Sequence, residues 1–157
     1  KDGSSLEMES VQIKGVDSTI RDTKAYLEDD TNLSISERIM THGEQYAKTN
    51  FYVELNGKNS SSHVASRSVA KDNSVQEFFS DVNGNNKCFG HVECDAIIMD
   101  NSKVISTPQI VANNIESNLI HEAAIGKIAG DQLTKLMTLG LTEKEAEEQI
   151  ISGFLNS

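Results

Sequence analysis

This sequence has no tryptophan, one proline, two cysteines and only 5% aromatic residues in 157. A hydrophobic fraction of 37% is lean for a compact globule, whose core needs large apolar side chains to fill it. That poverty suits an elongated or repetitive fold in which many residues stay solvated. Two cysteines are too few for a disulfide-stapled secreted scaffold, so reduced thiols in a cytoplasmic protein are the expectation. Basic residues are also scarce, 14 against 24 acidic ones, for a formal net charge of -10. A field of that sign repels phosphate backbones and anionic membrane surfaces, so neither nucleic acid nor membrane is an expected partner. No apolar run approaches the roughly 20 residues that a spanning helix requires. The opening KDGSSLEMES is polar throughout, so no signal peptide is expected. Beginning with Lys1 rather than Met, the chain is expected to be a fragment of something longer.

What the sequence does have, from about residue 6 to 125, is short runs that alternate apolar and polar positions. They are LSISERIM (33–40), NFYVELN (50–56), SHVASRSVA (62–70), VQEFFSDV (75–82), HVECDAIIM (91–99) and KVISTPQIVA (103–112). Alternation with period two predicts half-buried strands and argues against disorder. Asn56-Gly57 and Asn83-Gly84 are expected to supply positive φ, and Asp29-Asp30, Asp100-Asn101 and Asn113-Asn114 to form corners. Many short strands at regular intervals allow a sandwich, a barrel or a β-solenoid; few aromatics and polar corners favour the solenoid.

After residue 126 the period changes. In GDQLTKLMTLG, Leu133, Leu136, Met137 and Gly140 fall on one helical face, with Gly140 placed as the C-terminal cap. LTEKEAEEQIISGFL then opens with Thr142 and Glu145, a capping box, and Ala146, Ile150 and Phe154 form an apolar stripe. The spacing predicts a β domain over 1–125 and a helical pair over 126–157. The helices serve either as a cap on the β region or as a docking surface for another protein.

The stretch CFGHVECDAIIMD (88–100) concentrates the candidate chemistry. Cys88, His91 and Cys94 have the spacing C-x-x-H-x-x-C, suggestive of zinc. On an extended strand, however, His91 points away from both cysteines, which lie about 20 Å apart. A zinc-dependent enzyme, which would carry stoichiometric zinc lost on mutating Cys88, is therefore disfavoured. Cys94 shares a face with Val92, Ala96 and Ile98, as a small buried hydrophobe would, or as a sulfur or iron ligand held by a rigid strand. His121 and Glu122 are neighbours on a strand and face opposite ways unless the strand ends there. His42 and His63 are expected in solvated turns.

Three stretches together, VASRSVAKDNS (64–74), GHVECDAIIM (90–99) and IHEAAIGKIAGDQLTKLMTLGLTEKEAEEQIISGF (120–154), closely resemble the C-terminal half of the SufB/SufD family. Those proteins form the scaffold of the SUF iron–sulfur cluster assembly machine. The resemblance covers most of residues 33 to 155. It implies a mainly β fold, a right-handed parallel β-helix followed by a small C-terminal helical hairpin. It also implies a non-enzymatic role, holding a transient iron–sulfur cluster. Implied partners are another SufB/SufD β-helix, a SufC-type ABC ATPase docked on the C-terminal helices, and a cysteine desulfurase system as sulfur donor. Cys94 falls where SufB-type members carry the cysteine implicated in cluster assembly, His121 on a histidine implicated in both types, and Glu122 on an acidic residue of SufB-type members. The docking residues would be Leu133, Leu136, Met137, Ala146, Ile150 and Phe154. The alternative is a SufD-like subunit that contributes shape and contacts without binding iron; Cys94 is the feature it does not need.

Overall fold

The computed structural model describes residues 3–13 and 15–156; the outer limits of the two expected units, residues 1–2 and 157, lie outside them. Among the described residues the chain runs through nine strands: β1 (Ser5–Gln12), β2 (Ser18–Leu27), β3 (Asn32–Thr41), β4 (Tyr46–Leu55), β5 (Ser60–Ala70), β6 (Val75–Gly84), β7 (Cys88–Ile98), β8 (Lys103–Ala112) and β9 (Ser117–Gly126). Two helices follow, α1 (Gly130–Thr138) and α2 (Glu143–Asn156). Odd strands make a five-stranded sheet and even strands a four-stranded one, with every pairing parallel. Each strand therefore pairs with the next but one, and the chain coils as a parallel β-solenoid of about four turns.

Partners in the ladders are 27 to 29 residues apart. The interior lies between the two sheets. Leu27, Leu33, Ile35, Phe51, Val53, Leu55, Val64, Phe78, Val82 and Val92 fill it, drawn from both. Phe51 stacks on Phe78 with ring centroids 5.8 Å apart. One such pair serves where a globule would need a cluster, so the scarcity of aromatics follows from the shape.

Polar corners also stack from turn to turn. The Asn113 amide donates to Asn85 Oδ1 (2.7 Å) and the Asn85 amide to Asn56 Oδ1 (2.8 Å), a ladder along one edge. On another edge the Asn59 amide donates to Asp30 (3.0 Å). Among the described non-glycine residues, positive φ falls on Asp30, Asn59, Asp72 and Asp100. This corrects the expectation for Gly57 and Gly84, neither of which adopts positive φ. Their glycine is required by proximity instead. A Cβ on Gly57 would lie 2.0 Å from the Glu28 carbonyl carbon, and one on Gly84 2.7 Å from Ser117 Oγ.

Gly140, at φ 99°, does end α1. The capping box forms as the sequence predicts: the Thr142 N–H donates to Glu145 Oε2 (2.8 Å), and the Glu145 N–H returns to Thr142 Oγ1 (3.3 Å). The Thr142 N–H, and secondarily the Thr142 hydroxyl, which donates to the same Oε2 (2.8 Å), hold the Glu145 carboxyl below its ordinary pKa. α2 lies along the outer flank of the odd-numbered sheet, where Ile151 and Leu155 bury against Val69 beside Met40, Ile97 and Met99. The helices thus sit on the side of the solenoid, away from its last turn. There the inward residues Ala123 and Ile125 of β9 and Ile110 of β8 remain exposed.

Candidate functional site

β7 supplies the chemistry because its alternation splits it cleanly. Cys88, Gly90, Val92, Cys94 and Ala96 turn into the solenoid; His91, Glu93 and Asp95 turn outward. Cys94 is 2% exposed and packs in the main apolar core. Both cysteines are free thiols. The register places Cys94 in line with Ser66, and Ser66 in line with Glu37, so a polar file runs beneath the thiol. Burial pushes the Cys94 thiol pKa up, and the Asp95 carboxylate adds to this; the Ser106 hydroxyl of β8 acts in the opposite direction. Ser106 Oγ is itself shielded from solvent and has no protein partner by ordinary hydrogen-bond geometry.

His121 stands on β9, the final strand. Val92 pairs with His121 and Cys94 with Ala123, so Cys94 and His121 both face inward from neighbouring strands, offset by two residues. At standard sheet spacings their Cβ atoms are about 8 Å apart. That separation lies within the combined reach of a sulfur, an imidazole nitrogen and a metal ion or small cluster between them. Both ring nitrogens of His121 are shielded from solvent and lack a protein partner. Burial, and secondarily the nearby His91, lower its pKa, which favours the neutral imidazole that ligates metals. A shielded imidazole with neither nitrogen satisfied is uncommon in a finished protein interior.

Glu122 is not brought to this pair. It lies on the outer face, in register with Glu93, and its Oε2 is 3.2 Å from His91 Nε2. His63, expected in a turn, sits instead within β5 on that same face, because β5 extends from Ser60 and carries it as an outward residue. It pairs in register with His91, ring centroids 5.2 Å apart. Ligand atoms of His63, His91 and Glu93 all lie within 4.8 Å of one another. The signal that could have found this cluster is the 28-residue spacing of the two histidines, which equals one turn. His42 does occupy an exposed turn.

The helical residues divide. Ala146 is fully buried and Phe154 packs against the cluster around Val69. Ala146 and Leu155 are nine positions apart, half a turn around a helix at about 100° per residue, as fits a helix wedged between α1 and the sheet. Ile151 and Leu155, outside the predicted stripe, are the buried anchors, and Ile150 is half-buried. α1 buries no residue: Leu133 and Leu136 are half-buried, Met137 is 44% exposed and Leu139 75%.

Residues 1–154 match the family model described as SUF system FeS cluster assembly, SufBD core domain. An iron–sulfur cluster assembly SufBD family protein of Methanocaldococcus jannaschii is 36% identical over 127 residues, 80% of this chain and 40% of that protein. A SufBD family protein of Pyrococcus horikoshii is 47% identical over 66 residues, 42% of this chain and 20% of that protein. The iron–sulfur cluster assembly protein SufB of Bacillus subtilis is 37% identical over 103 residues, 62% of this chain and 22% of that protein. The chain thus spans well under half the length of these relatives. With a parallel solenoid, a helical pair on its flank and a family match over almost every residue, this chain belongs to the SufBD core-domain family of the SUF iron–sulfur cluster assembly system.

Proposed function

We propose that the chain is a scaffold component of SUF-type cluster assembly that holds a nascent iron–sulfur cluster between Cys94 and His121. The observation that carries this reading is the pair itself: two inward-facing donors on adjacent strands of the last turns, one an imidazole whose nitrogens are both unpartnered. Thiolate is a soft ligand for iron and sulfide, and imidazole completes a site with few thiolates, from which a cluster can leave. The buried thiol keeps its proton until a cation arrives, since a coordinating metal displaces it. Cluster loading therefore releases a proton at Cys94.

The exposed last turn supports pairing with a second β-helix, and the unburied apolar face of α1 supports docking of an ABC-type ATPase. A cysteine desulfurase system is the matching sulfur source. The role is that of a carrier, not an enzyme. No helix among the described residues is long and apolar enough to cross a membrane, which accords with a cytoplasmic setting.

One observation favours the SufD-like alternative, in which Cys94 only packs: the thiol is buried in the apolar core. Anaerobic reconstitution with iron and sulfide separates the two, using the parent chain, Cys94→Ser and His121→Ala, read by visible charge-transfer absorbance and bound iron. A cluster in the parent that both substitutions weaken supports the scaffold. A cluster indifferent to Cys94→Ser refutes it.

A further inference from the structure

The outer face of the odd-numbered sheet carries a second arrangement of donors, on the far side of the backbone from Cys94. His63 and His91 are consecutive rungs of one file; Glu93 stands in the next file along β7. We propose that His63, His91 and Glu93 form a binding site for a divalent first-row transition cation, separate from the Cys94–His121 pair.

The donor set is two imidazoles and one carboxylate. It is too hard for a thiolate-preferring ion and too nitrogen-rich for calcium or magnesium. Two histidines and one carboxylate on one side of an ion leave its other positions open, the arrangement in which ferrous iron and zinc are commonly held. The three donor atoms already lie within 4.8 Å of one another, and His91 Nδ1 is 3.5 Å from Glu93 Oε1. Ion–donor bonds of about 2.1 Å require a closer gathering, by rotation of exposed or half-buried side chains and without backbone movement.

Glu122 supplies a feature that chance clustering does not require. With His91 Nδ1 turned to Glu93 and the ion, the opposite nitrogen, Nε2, donates to Glu122 Oε2 at 3.2 Å. A ligating histidine fixed through its other nitrogen by a carboxylate is the usual way a protein sets the tautomer and orientation of a metal ligand. The four residues come from three successive odd strands, β5, β7 and β9, so the ladder holds their spacing. Glu122 is here a positioning residue. The site stands whether or not Cys94 and His121 hold a cluster.

The probe is Co²⁺, added anaerobically and without sulfide to the full chain, followed by calorimetry and by its visible d–d absorbance. One equivalent is expected to bind with no sulfur-to-cobalt charge-transfer band. His63→Gln and Glu93→Gln are each expected to weaken it at least about tenfold. Glu122→Gln is expected to weaken it roughly tenfold while preserving one-to-one stoichiometry. Cys94→Ser and His121→Ala are expected to leave it unchanged, which makes the outcome independent of the cluster reading. Circular dichroism confirms that each variant is folded, and both ligand substitutions change outward side chains that the core does not need. Absence of stoichiometric binding in the parent, binding indifferent to His63→Gln and Glu93→Gln, or a charge-transfer band abolished by Cys94→Ser overturns the proposal.

Discussion

Removing the carboxylate of Glu37 tests whether the polar file beneath Cys94 holds the solenoid together. Glu37 is 1% exposed, the one charged side chain among the buried described residues. It forms an ion pair with Arg21 of β2 and accepts hydrogen bonds from Thr49 Oγ1 (3.0 Å) and Ser66 Oγ (2.9 Å). It thereby joins both sheets and three turns. Glu37→Ala strands the guanidinium and leaves two buried hydroxyls without their acceptor. Breaking a buried ion pair from one side costs about 3–5 kcal/mol. The Arg21 side chain is 30% exposed, so water recovers part of its solvation, and the lower end, about 3 kcal/mol, is expected. In urea, with m near about 2 kcal/mol/M, the midpoint falls by roughly 1.5 M. The double variant Arg21→Met/Glu37→Leu removes both charges and should lose clearly less than Glu37→Ala alone, because no charge is left unpaired. A loss below about 1 kcal/mol for Glu37→Ala, or a double variant as unstable as the single one, refutes the reasoning.

Ile151→Ala should release α2 from the sheet flank, since Ile151 packs with Leu155 on Val69. The expected cost is about 2–3 kcal/mol, confined to that contact. Hydrogen exchange checks this: α2 amides lose protection while β3–β7 keep theirs, and uniform loss through the sheets contradicts the prediction. For the metal-free chain, stability should fall as pH drops through the ordinary imidazole range. Burial, then the proximity of His91, hold the pKa of His121 below its unfolded value, so the unfolded chain binds the proton first. His121→Gln should flatten that part of the pH–stability curve, and an unchanged slope would show that another group is responsible.

Alternation exposed most of the strands because each presents one face to an apolar interior. It failed where the interior itself is polar. The first half of β4, YAKT, escaped notice because its inward residues are Ala47 and Thr49, which carry little or no apolar signal. β1 and β2 escaped because they form the first turn, whose side chains are largely exposed and whose inward positions include Ser10, Gln12, Thr19, Arg21 and Thr23. Parity along the strand was enough to put Cys94 inward and to set His121 and Glu122 on opposite faces. It could not bring His63 to His91, since that contact depends on the length of a full turn. The repeat shows most clearly at its corners, in Asp72-Asn73-Ser74 and Asp100-Asn101-Ser102 and in the Asn56–Asn85–Asn113 ladder.

A route to the buried Cys94 follows from where the solenoid stops. A stack of repeats buries each turn under the next, so its terminal turn keeps an uncovered inner face unless something caps it. α2 is committed to the flank by Ile151 and Leu155, and Ala123, Ile125 and Ile110 remain exposed on the last turn. Cys94 lies one rung in from that face. The residue above it in register is Ala123, and the group approaching its sulfur from the opposite sheet is the Ser106 hydroxyl. A methyl and an unpartnered hydroxyl are a thin cover. At 2% exposed the thiol is already sealed as completely as Val92, and a bulkier residue at position 123 would only thicken that cover. His121, two residues before Ala123 on the same strand and turned to the same side, belongs to the same terminal turn. A species entering over Ala123 would reach the imidazole and the sulfur from the same end of the stack, so burial of Cys94 does not by itself exclude the ligand role proposed for it.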